Sequence, residues 1–173
     1  MLGIAVFSAA MLFSLSKGAE PIESDPVQSA AITEVTPVTG FMGASPSVGV
    51  KASMGYSGVA LELAGDAAVG NTAALYMVMA NAIINLSETK RAIPYGILGG
   101  GLFLTVPAGA VGSRSISNTG ICYGAGLRYY FTKKYGLRIE SKQFLTQILN
   151  AADNRQELFI FQSISLGVLF GFH

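Results

Sequence analysis

The chain is short of charge and of the residue types that carry most catalytic and metal chemistry. Only 12% of its 173 residues are charged, against roughly a quarter in an average soluble domain, so much of its surface is not built for water. It has no tryptophan, one cysteine and one histidine. A lone Cys122 excludes an intramolecular disulfide framework and a paired-cysteine metal site, and within its glycine-rich setting it reads as a small apolar filler. A long apolar run is missing as well. The longest apolar segment, residues 2–15, is broken by Ser8 and Ser14, short of the roughly 18 residues a spanning helix needs. Net charge is +1, and the only basic pairs, Lys90-Arg91 and Lys133-Lys134, fall in expected turns. No nucleic-acid partner is expected without a basic patch.

What is present narrows the class. Hydrophobic residues make up 51% of the chain and mean hydropathy is +0.50. Such a chain, lacking a membrane helix, either buries nearly everything or crosses a bilayer as a closed barrel. The 21 glycines favour the barrel, because each would weaken a helix by about 1 kcal/mol. Residues 1–19 have the layout of a secretory signal peptide, an apolar core followed by Ser16-Lys17-Gly18-Ala19. Residues 20–37, with four acids and three prolines, read as a polar periplasmic lead-in. Residues 38–173 then form the barrel.

Period-two alternation dominates from there, interrupted at turn residues. The expected strands are 38–45, 47–56, 58–66, 73–86, 92–105, 119–132, 135–148 and 157–172. Most reach the 9–11 residues or so that a tilted transmembrane strand requires. Connections near 57–58, 87–91 and 133–134 are tight, whereas those at 67–72, 106–118 and 149–156 are mostly longer. This alternation is expected of short periplasmic turns and longer external loops. The fold class is therefore all-β, an eight-stranded antiparallel up-and-down transmembrane barrel with both termini at one end.

Parity locates the charges. Arg138, Glu140 and Lys142 alternate with Leu137 and Ile139; Arg128 alternates with Leu127 and Tyr129; Glu62 alternates with Leu61 and Leu63. An Arg or Lys facing mid-bilayer lipid costs about 2–4 kcal/mol, so these five side chains point inward. Two acids and three bases then share a narrow lumen and neutralise one another. The expected result is a structural salt-bridge plug, with a transport or catalytic site as the competing reading.

The closing segment Ser165-Leu166-Gly167-Val168-Leu169-Phe170-Gly171-Phe172 resembles the C-terminal strand of bacterial outer-membrane barrels. That resemblance implies that Ser165, Gly167, Phe170 and Phe172 form the signal read by the barrel-assembly machinery. Residues 95–102, with residues 124–132 and 135–140 (Gly124-Ala125-Gly126-Leu127-Arg128 and Tyr135-Gly136-Leu137-Arg138-Ile139-Glu140 among them), look like the barrel domain of the OmpA/OmpX/opacity-type superfamily. The likeness spans roughly residues 40–173 and implies a filled eight-stranded barrel in the outer membrane, touching lipid and lipopolysaccharide. Because no peptidoglycan-binding domain follows the last strand, a cell-wall anchor is not expected.

Function is less legible than address. Enzymes built on small barrels use a histidine base, and here the sole histidine, His173, sits beside the expected periplasmic end. No catalytic residue, metal or cofactor is expected. Glu62 and Glu140 could form a carboxylate pair, but nearby bases would keep both ionised. Asp66 and Asp153 read as solvated loop-edge residues. Eight strands leave room for side chains or one small ligand, so a narrow ligand- or ion-conducting barrel is the alternative. A soluble lipocalin-like carrier, with apolar side chains inside, is a third reading. Glycines at 99–101, 124, 126 and 136 fit either relief of crowding in a tightly curved wall or thinning that admits a ligand. Candidate surface contacts are Arg114 in loop 106–118, with Asp153 and Arg155 in loop 149–156. Monomer is the expected state.

Overall fold

The computed structural model describes residues 32–56, 58–86, 91–107, 115–132, 134–150 and 155–172. Every element among them is a strand: β1 (Ile32–Met42), β2 (Ser45–Tyr56), β3 (Val59–Val69), β4 (Ala73–Asn85), β5 (Ala92–Pro107), β6 (Ile116–Tyr130), β7 (Tyr135–Asn150) and β8 (Arg155–Phe172). Each pairs antiparallel with its sequence neighbours, and β1 closes on β8 to complete an eight-stranded barrel. Closure removes the free edges that an open sheet leaves unpaired. Two hairpins turn through glycines with positive φ, Gly43 at 59° and Gly58 at 87°, a backbone region that glycine enters without steric cost.

Alternation sorts the two faces. Outward positions carry exposed apolar groups such as Leu61, Leu98, Ile139 and Ile164, while Glu62, Arg138, Glu140 and Lys142 are buried. On β8 the outward set is Ile164, Leu166, Val168, Phe170 and Phe172. Ser163, Ser165, Gly167, Leu169 and Gly171 are buried. Leu169 thus packs into the lumen with the small residues of its parity.

Three expectations need correction. The first strand runs from Ile32 to Met42 rather than over 38–45, so residues 32–37 belong to the wall and not to the lead-in. Pro37 does not end the strand. It faces outward, and the pairing of β1 with β8 skips Thr36 and Pro37, because proline brings no N–H to the ladder. The expected long connections are also shorter: β3 continues to Val69, β5 to Pro107 and β7 to Asn150, while β6 begins at Ile116 and β8 at Arg155. Connection length thus does not alternate clearly between the two ends. Polar composition misled here because the ends of β5 to β8 extend beyond the apolar band, where polar side chains suit a strand as well as a loop. Asp66 lies within β3 opposite Gly49 on the inward parity, half-buried, and not at a solvated loop edge. Residues 1–31, which include the expected signal peptide, lie outside the described residues.

Candidate functional site in the barrel lumen

The charges that parity sends inward meet in one network. Glu140 is its hub. Its Oε1 accepts from Lys51 Nζ at 2.6 Å and lies 2.8 Å from Lys142 Nζ, and its Oε2 is 2.5 Å from Arg138 Nη2. Arg138 Nη2 also stands 2.6 Å from Glu62 Oε2, Lys142 reaches Glu62 Oε1 at 3.6 Å, and Asn81 Nδ2 donates to Glu62 at 2.9 Å. Lys51 donates to Ser165 Oγ at 3.2 Å. All of these charged side chains are buried. Each carboxylate is thus paired with several cations, as buried charge requires, while Arg138 Nη1 and Arg128 Nη2 have no hydrogen-bond partner among the described residues.

Tyr95 ties this cluster to a second one. Its hydroxyl donates to Glu140 Oε2 at 2.9 Å and accepts from Arg138 Nε at 2.7 Å. Two guanidinium groups stand over its ring, Arg138 at 5.1 Å and Arg128 at 4.7 Å from the centroid, within cation–π range. Arg128 pairs with Glu34 at 3.3 Å, and Glu34 also accepts from Ser53 at 3.1 Å and from the Tyr130 hydroxyl. Gly126 makes room for this arrangement: a Cβ there would collide with the Tyr95 phenol. Gly99 likewise lies beneath the Asn81 amide. At these positions, missing side chains relieve crowding, and their space is already filled.

No protein-family model matches the chain, and no curated protein sequence matches it. Solved structures do. The N-terminal β-barrel domain of Pseudomonas aeruginosa OprF superposes with a TM-score of 0.65 at 18% identity, covering 82% of this chain and 97% of that one. Neisserial surface protein A gives 0.62 at 14% identity, covering 82% and 96%. Ail, the attachment invasion locus protein of Yersinia pestis, gives 0.53 at 15% identity, covering 83% and 99%. The chain has the fold of the small eight-stranded outer-membrane barrels. That is the architecture the sequence resemblance implied. Likeness at these identities carries the fold and none of the individual roles.

The lumen of this barrel is divided. The charged network occupies the middle and the half nearest the chain termini, which it shares with a small apolar cluster of Ala60, Ile83, Tyr95 and Ile97. Toward the other end lies an apolar cluster of Met42, Ala64, Ala68, Met77, Met79, Phe103, Cys122 and Phe144, with Leu75 and Phe161 packed against it. Phe144 stacks on Phe161 at 5.1 Å, and Phe103 meets both edge-on at 5.9 and 6.0 Å. Cys122 is fully buried and its thiol donates to Asn81 Oδ1 at 3.2 Å, so it joins the two halves rather than acting only as filler.

Of the five inward charges expected, Glu62, Arg138, Glu140 and Lys142 come together directly, and Arg128 joins through Tyr95 and Glu34. Sequence reasoning missed Glu34, Lys51, Tyr95 and Asp66. With them the inward charges balance: Glu34, Glu62, Asp66 and Glu140 against Lys51, Arg128, Arg138 and Lys142. The signal for Lys51 was present, since Val48, Val50, Ala52 and Met54 alternate with Gly49, Lys51 and Ser53. Arg114 and Asp153, and the side chain of Arg155, lie outside the described residues, as does His173.

Proposed function

We propose that the protein is an integral outer-membrane β-barrel with a structural or surface-interaction role, no catalysis, and a lumen closed by its own charge network. One observation carries the reading: a closed wall whose outward face is apolar while its ion pairs face inward. That polarity is the reverse of a soluble carrier's. Exposed Tyr129, Phe131, Tyr135 and Phe172 cluster at the terminal end, as an interfacial aromatic girdle would. Outer-membrane lipid and lipopolysaccharide are its natural surroundings. Phe170 and Phe172 on the outward parity, with Ser165 and Gly167 inward, support a role for β8 as the signal to the assembly machinery.

The non-catalytic reading is supported by the carboxylates themselves. Glu62 and Glu140 are each held by two or more cations, which makes poor bases of them. The single histidine of the sequence directly follows Phe172. Membrane fractionation and gel migration with and without boiling test the proposal. The protein should partition with outer membranes and run faster unboiled than boiled. Recovery in a soluble fraction with no heat-dependent shift would defeat it.

A further inference from the structure

Two arginines face each other inside the barrel. Arg128 and Arg138 are direct register partners across β6 and β7, and both are buried. The Tyr95 side chain crosses over Gly126 to reach Glu140, the residue opposite Gly126. Arg128 and Arg138 each lie one inward position from that row, toward the termini, so both guanidinium groups approach the ring from the same side. Like charges directly opposite on adjacent strands repel, and more strongly out of water. The neighbouring carboxylates answer only part of this. Among the described residues Arg128 Nη2 and Arg138 Nη1 have no hydrogen-bond partner, and neither has Thr36 Oγ1. Thr36 is fully buried close by: a Cβ on Gly167, the residue opposite Arg138 on β8, would strike its methyl group. Three buried groups able to donate thus turn into one region of the lumen from β6, β7 and β1. Leaving such donors unmade is costly, most of all on a charged group.

The local charge points the same way. The ion-paired cluster sets Lys51, Arg128, Arg138 and Lys142 against Glu34, Glu62 and Glu140, four bases against three acids, an excess of one positive charge. Asp66 balances the lumen as a whole but makes no ion pair among the described residues. It follows Ala64, the register partner of Lys51, on the side away from the termini, whereas the arginine pair lies toward them.

We propose that one chloride ion binds between Arg128 and Arg138, accepting hydrogen bonds from Arg128 Nη2, Arg138 Nη1 and the Thr36 hydroxyl. Chloride accepts from any direction and carries the single charge that the cluster lacks. A phosphate or sulfate dianion overshoots that charge. Water satisfies the donors but leaves the two arginines repelling each other. The inference rests on the reading of a lumen closed by its own charge network, and makes the ion a member of that network.

Crystals of the full chain grown in bromide test the site directly through bromide's anomalous scattering. A peak touching both guanidinium groups is expected; a water molecule there, with no anomalous signal, would overturn the proposal. Urea titration in detergent, with chloride replacing gluconate at constant ionic strength, tests it in solution. For one site present only in the folded barrel, the folded-to-unfolded ratio should rise about tenfold for each tenfold increase in chloride above its dissociation constant. Arg128→Lys keeps the charge but loses Nη2, and Thr36→Val loses the hydroxyl. Each should raise the chloride dissociation constant about tenfold. A midpoint indifferent to chloride, or variants that respond as the unmodified protein does, would refute the site. Unboiled gel migration in gluconate separates the two readings: a compact form without a chloride response removes only the ion, whereas no compact form in either salt counts against the barrel reading itself.

Discussion

The two halves of the lumen solve one packing problem with opposite chemistry. Near the termini, Glu34, Lys51, Glu62, Arg128, Arg138, Glu140 and Lys142 fill space with paired charge beside a small apolar cluster of Ala60, Ile83 and Ile97. Toward the other end, Met77, Met79, Phe103, Phe144 and Phe161 fill it with unbranched and aromatic side chains that need only volume. Methionine adapts to irregular gaps, whereas a buried ion pair tolerates no missing partner. The difference teaches that the charged half specifies and the apolar half accommodates. Substitutions should therefore be felt more sharply in the first.

The strongest break of that contrast is Glu140→Gln. It leaves Lys51, Arg138 and Lys142 sharing the remaining acids, and loss of one partner from a buried network costs about 3–5 kcal/mol. Urea titration of the folded barrel, followed by unboiled gel migration, should show the midpoint fall by a corresponding amount; an unchanged midpoint would mean that the network is not desolvated. Phe144→Ala in the apolar half should cost about 3 kcal/mol, the low end for such a truncation because the half-buried Phe161 can shift into the gap. A loss well above that of Glu140→Gln would invert the comparison. Gly126→Ala should cost about 1–3 kcal/mol through overpacking against Tyr95. Tyr95→Phe alone should cost about 1 kcal/mol for its lost hydrogen bonds. In the double variant most of the Gly126→Ala loss should persist, since the ring carbon that bears the hydroxyl stays in phenylalanine and lies almost as close to the new methyl as the oxygen does.

The same contrast explains what could be read from the sequence. Charge on one parity and apolar groups on the other mark a lipid-facing wall without ambiguity, which is why Glu62, Arg128, Arg138, Glu140 and Lys142 were placed inward from alternation alone. Glu34 was hidden because Pro37 and neighbouring acids gave its segment the composition of a linker, and only pairing across two strands shows that β1 passes through. The apolar cluster was hidden for a different reason. On β4, Met77 and Met79 face inward while Tyr76 and Val78 face out, and apolar residues on both parities cancel the signal. Tyr95 and Phe103 on β5 were obscured by Leu98 and Leu102 in the same way. Which end carries the long loops was also illegible, since strand and loop share a polar composition beyond the apolar band.

We propose that this barrel's lumen is closed by groups that neutralise one another and leave no conducting path. Planar-bilayer recording of the purified, folded protein tests it most directly. The account predicts a silent bilayer with no stable unitary conductance. Reproducible single-channel steps from the unmodified protein, abolished by boiling, would contradict it and favour a narrow ion-conducting barrel.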